Sequence, residues 1–336
     1  MLANLYLHPD TFVYNKTDTW QQVADKLTAL VTDMRMVITD HNEDNVFKVP
    51  ESLWSTHVFE QKDLVDMAEE CLENDQKSFF YTMLADTSPS YDNISIQELR
   101  NKCKYDPHEK EVNSILEFNV PKEDLSEEER ASDENEAKRV HKSIERDYIT
   151  FDDYKVVYNK QTWMHLRRQI LGNHPETPDV FIAECKKYFP NIVFHSNCTA
   201  SLDDGEYKYL EIVPRRLVYY LSCLNDRFLN VKEAHRNINP DANSILEDFS
   251  SIFGLDEPGS LEMNPDKKES LSFFFHDTSG NDCKICCEPH LKISQVDSNY
   301  PGSVNYSTFH PRIYFNFGNS NIEHGKILVG SIGKHL

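Results

Sequence analysis

Positive charge is scarce in this chain: 35 lysines and arginines stand against 56 aspartates and glutamates, for a net charge of −21. That shortage excludes indiscriminate coating of nucleic acid, because phosphate binding depends on the density of basic side chains. Glycine is scarce too, with ten residues in 336, and none of them builds a glycine-rich phosphate loop. The chain has neither a His-Glu-x-x-His pair nor a Gly-x-Ser-x-Gly elbow. No apolar run is long enough for a bilayer, so no membrane partner is expected. The N-terminus lacks the basic segment and long apolar core of a secretory leader. The eight irregularly spaced cysteines therefore read as reduced thiols of a cytoplasmic protein rather than as a disulfide framework.

Apolar spacing carries the rest. Over residues 1–120 it predicts a mainly helical domain for regulation or partner contact. Thr19 to Ile38 carries one helical stripe, Lys62 to Leu84 another, and Ser95 with Glu98 forms a capping box. Residues 121–147 hold ten acidic and six basic side chains, which is a charged linker or a solvated helix. Residues 148–205 read as an α/β connecting segment, with strands at Tyr154–Tyr158 and Asn191–His195 and helices at Gln161–Leu171 and Pro178–Tyr188. Arg167 and Arg168 on the first of these helices read as salt-bridge partners for an acidic body rather than as a phosphate grip.

From Glu206 the order is strand (Glu206–Val213), helix opened by Pro214, helix opened by Pro240, and then strands. Three apolar runs end the chain: Cys283–Ile293, His310–Phe317 and Lys326–Gly333, each bounded by turn-forming residues. A strand period of two places His290 and Lys292 on one face, and His310, Arg312 and Tyr314 on one face. Lys334 and His335 follow where the third run ends. The last stretch is close to neutral on an otherwise acidic chain, as a local anion site would be. The expected architecture is thus α+β, with a helical N-terminal domain and a C-terminal domain over 206–336 made of a strand, two helices and a curved antiparallel sheet.

That order, with Pro289–Ile293, Pro311–Phe315 and Val329–His335 at its end, resembles the RelE/HigB-like ribonuclease toxins. The resemblance covers residues 206–336. It implies a toxin or effector of a bacterial toxin–antitoxin or phage-defence setting that cleaves RNA by metal-free acid/base chemistry, with RNA or the ribosome as target. No cofactor and no metal are then required. The corresponding site would use Arg312 and Lys292 on the phosphate, His290 as proton acceptor and His335 as acid, with Lys334, His310 and Tyr314 contacting substrate. Two other readings compete. One is a non-catalytic subunit that binds protein or nucleic acid, docking through the acidic N-terminal part. The other is a metal-dependent DNA nuclease built on Asp203, Asp204, Glu206 and Glu211 with Lys208. A zinc site at Cys283, Cys286, Cys287 and His290 is disfavoured, because alternation in a strand cannot point all these ligands together.

Overall fold

A computed structural model describes residues 3–12, 14, 17–39, 45–55, 57–82, 84, 90–91, 95–103, 112–116, 156–157, 160–236 and 241–335. The charge-dense stretch 121–147 lies outside them. Contacts divide the chain into two compact units, one of residues 1–137 with 150–167 and one of residues 138–149 with 168–336.

The first unit departs from the helical expectation. It contains a five-stranded sheet built from β1 (Ala3–Leu7), β2 (Asn45–Pro50), β5 (Ser90–Tyr91), β6 (Val112–Leu116) and β7 (Val156–Val157). Its order is β5-β2-β1-β6-β7, and every pairing is parallel. A separate short antiparallel pair joins β3 (His57–Phe59) to β4 (Lys62–Asp63). Two physical facts hide the sheet from a pattern search. Two of its strands are two residues long, and strands buried on both faces do not alternate. In β1 both faces are buried, with Leu5 and Leu7 on one and Asn4 and Tyr6 on the other.

The helices of this unit follow the spacing. Helix α1 (Trp20–Thr39) buries Val23, Leu27, Leu30, Val31 and Met34. The 62–84 stripe is two helices, α2 (Leu64–Cys71) and α3 (Asn74–Tyr81). The Asp63 carboxylate caps α2 by accepting the Asp66 N–H at 2.9 Å. The Ser95–Glu98 capping box opens α4 (Ile96–Lys102). Helix α5 (Lys160–Asn173) follows β7.

The second unit takes up α6 (Pro178–Tyr188), β8 (Ile192–Phe194) and the short helices α7 (Asn197–Ser201) and α8 (Tyr209–Ile212). Glu206–Val213 is therefore not a strand. Asp204 accepts the N–H groups of Glu206 and Tyr207, and its other oxygen accepts the Tyr209 hydroxyl. This turn winds the segment into helix although its apolar residues alternate. Asp204 and its acidic neighbours thus organise a turn, and Lys208 pairs with Glu211 at 3.4 Å on the surface.

Pro214 opens α9 (Pro214–Cys223), which runs through a π-helical turn at Leu224–Phe228 into α10 (Leu229–Ala234). Helix α11 (Ala242–Ile252) follows, capped by Asp241. The first amides of α9 are satisfied from far along the chain. Asp297, buried to 3% exposure, accepts Arg215 N–H at 2.8 Å and Arg216 N–H at 3.3 Å. Arg216 in turn pairs with Asp256, which accepts the N–H groups of Ser294 and Gln295.

Burial pushes the Asp297 carboxyl up to about 6, against the pull of the two N–H groups and Arg216. A carboxyl whose folded value is raised stabilises the fold fully below the unfolded value near 4, and that contribution is lost as the pH rises through 6. Between pH 4.5 and 7.5 Asp297→Asn should gain on the parent chain by about 2 kcal/mol. Urea midpoints at the two pH values read this directly, and an unchanged difference between the two proteins would refute it.

The carboxy-terminal sheet has the order β11-β12-β13-β8, from β11 (His290–Lys292), β12 (Arg312–Asn316) and β13 (Ile327–Gly333). The first two pairings are antiparallel, and β8 runs parallel to β13. The Cys283–Ile293 run is split: β10 (Asp282–Cys286) pairs with β9 (Ser272–His276) as a hairpin, and Pro289 precedes the separate β11. One face of the sheet, with Leu291, Ile313, Phe315, Ile327, Val329 and Ile332, packs on the helices. On the other face Tyr314 and Leu328 pack against Phe273, Phe275, Ile285 and Cys287 around the hairpin. Gly330 is skipped in the pairing, where the register shifts between Tyr314 and Phe315. A Cβ there would lie 2.3 Å from the Phe273 ring, so only glycine admits this hairpin contact.

Candidate functional site

Strand pairing fixes the floor of the site. His290 lies opposite Tyr314 and Tyr314 opposite Ser331; in the next row Lys292 lies opposite Arg312 and Arg312 opposite Gly333. Alternation therefore does place His290, Lys292, Arg312 and Tyr314 on one face. A further segment extends this sheet. Ser260 exchanges both backbone hydrogen bonds with His290, and the Glu262 N–H donates to the Glu288 carbonyl. That brings in Glu262, which no sequence pattern singled out.

Arg312 and Glu262 reach toward each other, with 3.8 Å between guanidinium and carboxylate. The Arg312 Nη1 also approaches the Tyr314 hydroxyl at 3.4 Å. Its Nε is buried without a hydrogen-bond partner among the described residues. His335 closes the rim: its Nε2 lies 3.5 Å from the same Glu262 oxygen, and Lys267 lies 3.4 Å from both ring nitrogens. The side chain of Glu262 is 10% exposed, that of Arg312 18% and that of His335 38%, so the cluster is sheltered yet open to solvent on the imidazole side.

The electrostatics follow from this crowding. Burial disfavours the ionised form of Glu262, but the Asn264 N–H, the Lys267 charge and, once acid protonates them, His335 and His290 outweigh it, holding the carboxyl below its ordinary range. Burial lowers His335, the nearby Arg312 and Lys267 charges lower it further, and Glu262 opposes them. His290 is driven down to about 4, mainly by burial and then by Arg312 and Lys292. At neutral pH the free site therefore holds an ionised Glu262, two uncharged imidazoles and three cationic side chains.

Several sequence-based assignments change. His290 is 2% exposed and held at both nitrogens. Nδ1 donates to the Glu288 carbonyl at 3.1 Å, which leaves Nε2 to accept from Ser260 Oγ at 3.2 Å. It locks the 260–262 segment onto β11 and is not placed to receive a substrate proton. Tyr314 is completely buried, with its ring centroid 5.1 Å from that of His290, so it is floor rather than a substrate contact. Lys334 contributes its charge to Asp204, and no described contact joins it to the cluster. His310 is exposed ahead of β12, and no described contact joins it to the cluster. Lys292 lies beside Arg312, with no carboxylate in ion-pair range among the described residues.

The cysteines divide by burial. Cys287 is in the core with its thiol against the Leu328 carbonyl, whereas Cys283 and Cys286 are partly exposed. Among the described residues no three metal-ligating side chains converge, and no helix is long and apolar enough to cross a membrane. Compared with family models, curated proteins and solved structures, the chain matches none.

Proposed function

We propose that this chain is an RNA-cleaving effector of the RelE-like kind, with its site on the open half of the β11-β12-β13 face. The observation that carries the reading is the convergence of a guanidinium and an imidazole, Arg312 and His335, within 4 Å of the same oxygen of an ionised carboxylate, Glu262. These groups supply what transfer of the 2′-oxygen requires. Glu262 accepts the 2′-hydroxyl proton as the O2′–P bond forms. Arg312, whose planar fork matches phosphate oxygens, and Lys292 beside it hold the charge building on phosphorus. The P–O5′ bond breaks, and His335 in its protonated form delivers the proton to the leaving oxygen. The products are a 2′,3′-cyclic phosphate and a 5′-hydroxyl.

The experiment is incubation of the purified full chain with RNA, with and without ribosomes and EDTA. Cleavage should survive EDTA and fail on a strand carrying 2′-deoxyribose at the scissile position. Arg312→Ala should lower it by about 10²–10³-fold. Cleavage retained by both Arg312→Ala and His335→Ala would end the proposal. The second reading is a subunit that binds nucleic acid or protein without cutting. It is favoured by Glu262 itself, an internal anion that already answers part of the Arg312 charge. Tight RNA binding with no cleavage by the intact chain would decide for it.

A further inference from the structure

The contact between Lys267 and His335 constrains which protonation state the imidazole can hold. An ammonium group has three donors and no acceptor, and an imidazolium has donors only. Lys267 Nζ lies 3.4 Å from both ring nitrogens, so a second ring proton would set two like charges in contact. Nε2 also faces the Glu262 carboxylate at 3.5 Å, which favours that nitrogen as the carrier of the neutral ring's proton. The other charged groups around the ring are Arg312 on β12, with His290 and Lys292 on β11 and Lys334 as its chain neighbour. Glu262 favours a second proton and the others are cationic or neutral, so burial with the Arg312 and Lys267 charges leaves the free ring uncharged.

We propose that Lys267 is a positioning residue that keeps His335 unprotonated until a phosphate-bearing ligand draws the ammonium away, so that the ligand and the acid's proton arrive together. The inference rests on the phosphate reading of this site. It explains how an imidazole that is neutral in the free protein can serve as the proton donor. A ligand anion placed among Arg312, Lys292 and Lys267 takes over the Lys267 donors and adds negative charge beside the ring. Both changes favour protonation there. Binding of the anion is then linked to uptake of one proton, and its affinity rises up to tenfold per pH unit on descending through the interval between the free and bound midpoints.

The test is a titration of the His335 Cε1–H signal in the full chain, assigned by its loss in His335→Gln. Sulfate is the probe, because it remains a dianion across the range. The His335 midpoint should rise by about one unit or more in Lys267→Gln, and by a similar amount in the parent chain saturated with sulfate. Lys267→Arg should keep the low midpoint, since it restores a cationic donor, and sulfate should add little in Lys267→Gln. A midpoint that does not move in a folded Lys267→Gln overturns the coupling. A midpoint unmoved by sulfate that visibly shifts the Arg312 signals overturns the linkage. No sulfate effect at Arg312 at any concentration would instead overturn the phosphate reading, which separates the two failures.

Discussion

Replacing Arg168 by alanine is expected to destabilise the second unit by about 3–5 kcal/mol, the range for removing one partner of a buried ion pair. The guanidinium side chain is 3% exposed and fully committed. Nε donates to the Tyr188 carbonyl at 2.8 Å, Nη1 and Nη2 bind the two oxygens of Asp226 at 2.6 and 3.2 Å, and the plane lies over the Phe189 ring. Truncation strands a carbonyl at the end of α6 and a carboxylate on the π-helical turn. That same turn carries Asn225, which accepts the Asn191 N–H at the entry to β8, so the damage reaches the sheet. Arg168→Lys should recover only part of the loss, because a point charge cannot reproduce the bidentate fork. Urea unfolding read by tryptophan-independent circular dichroism measures both, and a cost under about 1 kcal/mol for the alanine variant would contradict this account.

Arg168 also marks what a sequence can disclose. Its salt-bridging role followed from composition alone, because an arginine on an amphipathic helix of an acidic chain rarely lacks a carboxylate. The helices beginning at Trp20, Pro178 and Pro214 were legible for the same local reasons: a continuous stripe, or a proline at the first turn. The shared face of His290, Lys292 and Arg312 was legible because strand alternation is a property of each short run.

What could not be read depends on pairing between distant segments. Glu262 sits in a polar loop with no periodicity, and three backbone hydrogen bonds from the 260–262 segment to His290 and Glu288 aim it at Arg312. The engagement of both His290 nitrogens depends on Ser260, thirty residues earlier. Glu206–Val213 shows the converse failure. Its alternation is real, but Tyr209, Leu210 and Ile212 are all buried in a one-turn helix set by the Asp204 turn, and four residues do not distinguish the two periods. The parallel sheet of the first unit escaped because strands with both faces covered carry no alternating signal.

The larger functional effect is expected at the residue the sequence did not mark. Glu262→Gln should lower RNA cleavage by about 10²–10⁴-fold, the range for losing a positioned general base. The amide keeps the size of the side chain and an oxygen for the Asn264 N–H, so folding should be little affected. Removing the carboxylate also removes the anion that faces both Arg312 and His335. Binding of RNA should therefore tighten while turnover falls, a split that a purely structural role would not produce. The pH profile adds a second sign. With the carboxyl held below its ordinary range by the Asn264 N–H and the surrounding cations in spite of burial, the acidic limb of kcat/KM should lie below that of an unperturbed glutamate and disappear in the variant. Tighter binding with undiminished cleavage would remove Glu262 from the chemistry. Tighter binding by a chain that never cleaves would make the cluster a docking site whose internal carboxylate yields its place to the phosphate of a partner strand.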